Sequence, residues 1–307
     1  METVEGLKRK LGSTEDLQSV VKTMKAMAAV NIRQYEKAVR SLADYARTVE
    51  LGLAVVLGAG GRPPRARREA HGNLGVMVFG SDQGMAGSLN EQVASLAIDD
   101  LSGQGVDLAG LPMVAVGQRV LGPWEDAGGQ AQSYLQVPGS IAGITPLVHE
   151  LLFYIQTWGE RQGIDRVWLY YNRQQGGASY KPIKRELLPL DRTWLEHLVS
   201  EPWQGPSLPS FTMEPQALFS ALLRQYLFIG LFQALAESAA SENASRLAAM
   251  QGAEKSIAER MDELTRRYFQ RRQSAITEEL LDIVSGYEAF NEQSEPEDAD
   301  IPPHLAR

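Results

Sequence analysis

Cysteine is absent from this 307-residue chain. That excludes a disulfide framework and thiolate chemistry. Histidine is scarce: His71, His149, His197 and His304 lie far apart, and none pairs with a second ligand at helical metal spacing. Each reads as a surface or packing residue. No Gly-Lys-Ser/Thr ends a phosphate loop, no serine sits in a nucleophile elbow, and spacing alone groups no Ser, His and Asp. Aromatic residues are sparse at 7%, while the apolar fraction of 44% is ordinary for a chain with a packed core. The net charge of −8 argues against a dedicated nucleic-acid binder. The start, Met1-Glu2-Thr3-Val4-Glu5, is acidic and has no apolar run, so no secretory signal is expected. The longest apolar stretch, Leu218 to Ala240, carries Arg224, Gln225, Gln233 and Glu237. It reads as a poor membrane span, and the expectation is a soluble or peripheral protein.

Proline is missing from two long segments, residues 3–57 and 216–290, and both read as helices. In the first, Ala28, Ile32, Tyr35, Val39, Leu42, Ala46, Val49, Leu53 and Val56 alternate steps of four and three. A heptad repeat of that length predicts a left-handed coiled-coil seam. Upstream the seam is more polar: Gln18 and Lys25 lie on it, with Leu17, Val20, Met24 and Met27 beside it. In the second segment Leu247, Met250, Ile257, Met261, Leu264, Tyr268 and Ala275 keep the same spacing, interrupted by Glu254 and Arg271. Ile276, Leu280, Ile283, Tyr287 and Phe290 then shift the stripe, and the longer helix is expected to overhang the shorter. Gly230, Gly252 and Gly286 argue against a perfectly straight rod.

Between the helices the pattern changes. Residues 58–72 are a glycine- and proline-bearing basic linker. Strands are predicted at Leu74–Phe79, Met113–Val116, Ser133–Val137 and Val167–Tyr171, with an edge strand within Lys181–Leu190. Helices are predicted from Leu89, near Arg119 and over Thr145–Arg161. The alternation predicts a mostly parallel sheet flanked by helices. Residues 191–213, with Pro202, Pro206 and Pro209, read as a connector. The expected organisation is a helix over 1–57, the linker 58–72, an α/β domain over 73–213, a helix over 214–290 and an acidic, disordered tail over 291–307.

The turn Gly80-Ser81-Asp82-Gln83-Gly84-Met85-Ala86-Gly87 lies between a strand and a helix. Backbone amides at a helix start attract anions, so a phosphate cradle is one reading. The spacing is not the dinucleotide fingerprint, and an ordinary tight turn is the reading favoured. Glu278 and Glu279 read as a solvated helix face rather than an acid/base pair.

Five segments carry a family resemblance. Leu7-Lys8-Arg9-Lys10-Leu11-Gly12-Ser13 and Val21-Lys22-Thr23-Met24-Lys25-Ala26-Met27-Ala28-Ala29 resemble the N-terminal pattern of the γ subunits of F-type ATP synthases, with its Ala-Met-Lys-Met-Val-Ala-Ala core. Glu242-Asn243-Ala244-Ser245-Arg246-Leu247-Ala248-Ala249-Met250 resembles their Ser-Glu-x-Ala-Ala-Arg-Met-x-Ala-Met run, and Arg271-Arg272-Gln273-Ser274-Ala275-Ile276-Thr277-Glu278-Glu279-Leu280 their C-terminal signature. The turn is similar to their Ser-Asp-Arg-Gly-Leu-Cys-Gly-Gly-Leu-Asn stretch, with departures at Gln83, Ala86 and Ser88. Asn31-Ile32 and Gln251-Gly252-Ala253-Glu254 also depart from it, which suggests a divergent branch such as an alternative F-type ATPase.

The resemblance implies an α/β fold: a long antiparallel coiled coil of the N- and C-terminal helices with a Rossmann-like α/β insert domain. It implies a non-catalytic central-stalk rotor that needs no cofactor or metal and couples ion-driven rotation to ATP synthesis or hydrolysis on partner β subunits. Its partners would be the α, β and ε subunits and the membrane c-ring, without nucleic acid or membrane insertion, on the cytoplasmic side of a bacterial plasma membrane. Outward-facing contacts to the stator are expected at Lys22, Met24, Lys25, Glu242, Arg246, Arg272, Gln273 and Thr277. A low-friction outer surface is expected from Ala26, Ala28, Ala29, Ala239, Ala240, Ala244, Ala248 and Ala249. Two rival readings stay open, a coiled-coil scaffold without a motor and a small α/β enzyme holding a phosphorylated ligand at the turn.

Overall fold

A computed structural model of the chain describes residues 3–60, 73–176, 179–200, 203, 207 and 209–292. The helix α1 runs Val4–Gly58. The strand β1 (Asn73–Phe79) leads through α2 (Leu89–Gly103) to β2 (Met113–Val116), and α3 (Leu121–Asp126) leads to β3 (Ser133–Leu135). Next come α4 (Ile144–Thr157), β4 (Ile164–Gly176), β5 (Ser179–Leu188), α5 (Arg192–Ser200) and α6 (Pro215–Glu292). Most of the linker expected at 58–72, and the tail beyond 292, lie outside the described residues.

Two differences from the sequence reading have local causes. The predicted connector over 191–213 contains α5, whose Trp194 ring lies 4.9 Å from that of Tyr226 on α6. Packing of one aromatic face, rather than composition, gives this short helix its place. The helix expected over Thr145–Arg161 ends at Thr157, and a π turn at Trp158–Gln162 buries Trp158 before Gly163 reverses the chain at φ +63°.

The sheet has the order β3-β2-β1-β4-β5. The first three pairings are parallel, and β4 with β5 is antiparallel. Strand β1 is central, and from Leu74 onward it is buried on both faces and without a polar side chain, as a parallel strand covered twice must be. Alternation along it feeds two cores. Met77 and Phe79 join Val114, Leu169, Leu151 and Trp158 on the face covered by α4 and α6. Val76 and Val78 join Met113, Trp168, Val93 and Leu101 on the face covered by α2 and α3.

Two compact units make up the chain. One is Thr23–Gln251; the other takes the described residues of Met1–Lys22 and Gly252–Arg307. In the larger unit α1 and α6 run antiparallel. Asn31 Nδ2 donates to Asn243 Oδ1 (3.3 Å), Tyr45 Oη to Gln225 Oε1 (2.9 Å), and Gly52 faces Leu222. From 31 to 52 on α1 the partner descends from 243 to 222. The seam is the predicted one: Ala28, Ile32, Tyr35, Val49, Leu53 and Val56 are buried, and Val39, Leu42 and Ala46 half-buried. Leu53 packs with Val49, Val56, Phe219 and Ile229.

Pro215 opens α6 at a position where its missing N–H is no loss, and Glu214 Oε2 accepts the Ala217 N–H at 2.8 Å. The helix continues through Gly230, whose lack of a Cβ lets Leu187 approach. A window of α6 reaches mean hydropathy 1.4, apolar and long enough to cross a membrane. In this fold its Leu231, Ala234 and Leu235 are buried in the core beside the sheet.

In the smaller unit Leu7 and Leu264 are buried. Ile257, Met261, Tyr268 and Ala275 are half-buried while most of their neighbours are exposed, so the heptad burial persists. Past Ala275 every residue to Glu288 is exposed, including Ile276, Leu280, Ile283 and Tyr287.

Candidate functional site

The expected contact residues meet different fates. Glu242 and Arg246 lie one turn apart on α6, an i,i+4 spacing that aligns their side chains. Arg246 Nη2 donates to Glu242 Oε1 at 2.5 Å. Both are buried, at 7% and 8% exposure, which corrects the outward orientation expected from sequence. The physical reason is that this stretch of α6 is pressed against the sheet and the turn after β1, so a long polar side chain bonds internally. Arg246 Nε is buried with no hydrogen-bond partner among the described residues. Burial raises the Glu242 carboxyl above its ordinary 4.5, Arg246 opposes this, and the nearby Asp82 charge adds to it.

Met24 and Lys25 on α1 are half-buried, while Lys22 is exposed and its Nζ donates to Gln18 Oε1 at 3.4 Å. Arg272, Gln273 and Thr277 are exposed, and Thr277 Oγ1 donates back to the Gln273 carbonyl at 3.0 Å. The structure thus joins Glu242 with Arg246, and Gln273 with Thr277, each as a local pair on α6.

The alanine expectation also needs correction. Ala26 and Ala248 are exposed and Ala29 and Ala249 intermediate, but Ala28, Ala239, Ala240 and Ala244 are buried. Their small size serves close approach of α6 to its neighbours rather than a smooth outer surface.

Sequence reasoning missed the buried polar face of α6. Ser238, Ser241, Glu242, Asn243, Ser245 and Arg246 are all buried. Ser241 Oγ lies 2.9 Å from the Asn172 carbonyl and 2.8 Å from the Glu237 carbonyl. Ser245 Oγ donates to the Ala86 carbonyl at 2.5 Å, and Asn243 Nδ2 to the Ala239 carbonyl at 2.8 Å. Beside this face Arg173 pairs with Glu237 at 2.8 Å, and Gln233 bridges Glu237 to Arg185. The available signal was a run of small polar residues within an apolar helix, which amphipathic periodicity alone does not explain.

The turn after β1 is held from several sides. The Ser81 N–H donates to Asn90 Oδ1 at 2.8 Å, tying the turn to the start of α2. The Asp82 carboxylate accepts the N–H groups of Gln118 (2.8 Å) and Val137 (2.7 Å) and the Tyr134 hydroxyl (2.6 Å). These amides, at the ends of β2 and β3, are thereby served by the protein's own anion. The Asp82 bond leads the influences that push the Tyr134 phenol up to about 12. Of the four histidines, His149 stacks obliquely on Phe228 with centroids 5.5 Å apart. His71 and His304 lie outside the described residues. Among the described residues no three His, Cys, Asp or Glu side chains gather in a metal-binding group.

Comparison with known proteins follows the same lines. A family described as ATP synthase matches residues 3–290. The ATP synthase gamma chain of Nitrosomonas europaea is 27% identical over 285 residues, covering 91% of this chain and 97% of that one. The gamma chain of Haemophilus influenzae is 26% identical over 291 residues, covering 92% and 98%. Among solved structures, a chain of the Euglena gracilis mitochondrial ATP synthase assembly of OSCP, F1 and c-ring superposes with TM-score 0.62 at 18% identity, covering 97% of this chain and 98% of that chain. A chain of the Tetrahymena thermophila central stalk and c-ring gives 0.52 at 21% identity, covering 76% and 99%. At these identities the superpositions speak for the fold.

Proposed function

The chain belongs to the ATP synthase family, and we propose that it is a γ subunit, the central-stalk rotor of an F-type ion-translocating enzyme. The observation that carries this reading is the antiparallel pairing of α1 with α6, in register from 31–243 to 52–222, beside a five-stranded sheet, within a family match that spans 3–290. A stiff helix pair transmits torque; the sheet domain supplies a lateral body for other subunits.

Its partners in this reading are the α and β subunits, the ε subunit and the c-ring, as in the F1 and c-ring assemblies that the structural neighbours come from. Catalysis resides on β. The Asp82 carboxylate takes up the Gln118 and Val137 amides at the ends of β2 and β3 and places a negative charge in the turn, which disfavours a phosphate there and supports the non-catalytic role. Rotation alters the β sites in turn through differential contacts, an allosteric coupling by rigid-body movement. The complex is membrane-associated, and the bacterial relatives favour the cytoplasmic face of a plasma membrane.

Lys22, Met24, Lys25, Glu242, Arg246, Arg272, Gln273 and Thr277 are the proposed stator contacts. Exposed Arg272, Gln273 and Thr277 meet β loops directly; Arg246 does so by exchanging its internal carboxylate for one on a partner. An arginine fork suits such an exchange between carboxylates. Co-expression of the chain with α and β subunits tests the reading. A single complex containing all three and hydrolysing ATP is expected; a chain that purifies only by itself or with its own copies contradicts it.

A further inference from the structure

We propose that Ser241 and Ser245 are positioning residues that fix α6 in rotational register against the sheet domain, so that torque passes between them; this rests on the rotor reading above. Open α/β sheets bind ligands outside the carboxyl ends of their strands, where the chain order switches direction. Here that place lies between β1 and β4, neighbours in the sheet although remote in sequence. The carboxyl end of β4 contributes Asn172, fully buried, and β1 runs into the turn that holds Ala86. The occupant is the protein's own helix.

Ser241 Oγ is 2.9 Å from the Asn172 carbonyl of β4 and 2.8 Å from the Glu237 carbonyl of its own helix, so its one proton is shared between strand and helix. One turn along α6, Ser245 Oγ donates to the Ala86 carbonyl at 2.5 Å and lies 3.3 Å from Tyr180 Oη on β5. Two residues four apart thus bind three separate parts of the sheet domain from one face of the helix. Apolar packing holds this face of the helix against the sheet, and the hydrophobic effect behind it is non-directional. Buried hydrogen bonds are directional; the Ala86 carbonyl also accepts the Leu89 N–H at 3.3 Å, so the Ser245 hydroxyl supplies its second and shorter bond. The chain is shaped around the contact: Gly87 has φ +55°, and a Cβ there would come within 3.1 Å of Ser245 Oγ.

The test compares the intact chain with Ser241→Ala, Ser245→Ala and the double variant. In the free chain, amide exchange over 86–90 and 170–173 is expected to quicken roughly tenfold in the double variant, as loss of buried bonds implies. The remaining sheet should keep its rates. In the assembled enzyme the double variant should retain ATP hydrolysis, while ATP synthesis driven by an ion gradient falls several-fold. Unchanged exchange overturns the clasp. Faster exchange with an unaltered ratio of synthesis to hydrolysis overturns its role in torque. Failure of the unmodified chain to assemble with α and β subunits overturns the rotor reading itself, and the torque role with it, whatever the exchange data show.

Discussion

Arg246 and Glu242 form a buried ion pair within a single helix, Nη2 to Oε1 at 2.5 Å, with 10% and 9% of their side chains accessible. Removing one member of such a pair strands the other's charge. Arg246→Leu is therefore expected to lower folding stability by about 3–5 kcal/mol, whereas Arg246→Leu with Glu242→Leu recovers much of that loss. Denaturant unfolding of the three proteins checks this. Equal losses in the single and double variants would show that the pairing is not what holds the site.

Asp82 controls the titration of Tyr134. The phenol, pushed up to about 12 first by its bond to Asp82, contributes stability in full below its ordinary value of 10.0. That contribution declines as pH rises from there through about 12, because the folded chain holds the proton that the unfolded chain releases. Absorbance titration of the protein against Tyr134→Phe isolates this phenol. In Asp82→Asn its midpoint should return toward 10.0; a midpoint that does not move rules out the assigned cause.

The helix seam should respond to truncation by face. Leu53 is fully buried among Val49, Val56, Phe219 and Ile229, and Leu53→Ala is expected to destabilise by about 2–5 kcal/mol. Leu51, two residues away and 39% exposed, should lose no more than about 0.5 kcal/mol on the same change. Comparable losses at both positions would contradict the seam as described.

The absence of cysteine makes cross-linking unambiguous. With Gly52→Cys and Leu222→Cys together, mild oxidation should give an intramolecular disulfide, since a Cβ at position 52 would lie 3.8 Å from Leu222 Cγ. A monomer two hydrogens lighter by intact mass is the expected product. Exclusive formation of disulfide-linked dimers would place the seam between chains instead.

Periodicity made most of the fold legible. The residues on the predicted heptads from Ala28 to Val56 and Leu247 to Ala275 are those withdrawn from solvent, because a two-helix seam is set by local spacing. Strand β1 was legible for a related reason: a strand covered on both faces must be apolar throughout. The polar site was not. Arg246 and Glu242 read as surface residues because charge ordinarily means exposure, and only the sheet pressed against this stretch of α6 reverses that. Ser241 and Ser245 signalled only a polar run within an apolar helix and not its partners, which are backbone carbonyls at Asn172 and Ala86, distant in sequence. Helix α5 was hidden by proline-rich surroundings and is anchored by a tertiary contact, Trp194 on Tyr226.

Rotation is the most direct test of the central claim. The chain is assembled with α and β subunits, the ring is fixed to a surface, and a probe is attached at a cysteine introduced for Ser102 on the exposed end of α2. On addition of ATP the probe should turn in one direction in regular steps of a third of a revolution, as three β sites act in succession. ATP hydrolysis at an undiminished rate with the probe stationary would contradict the account.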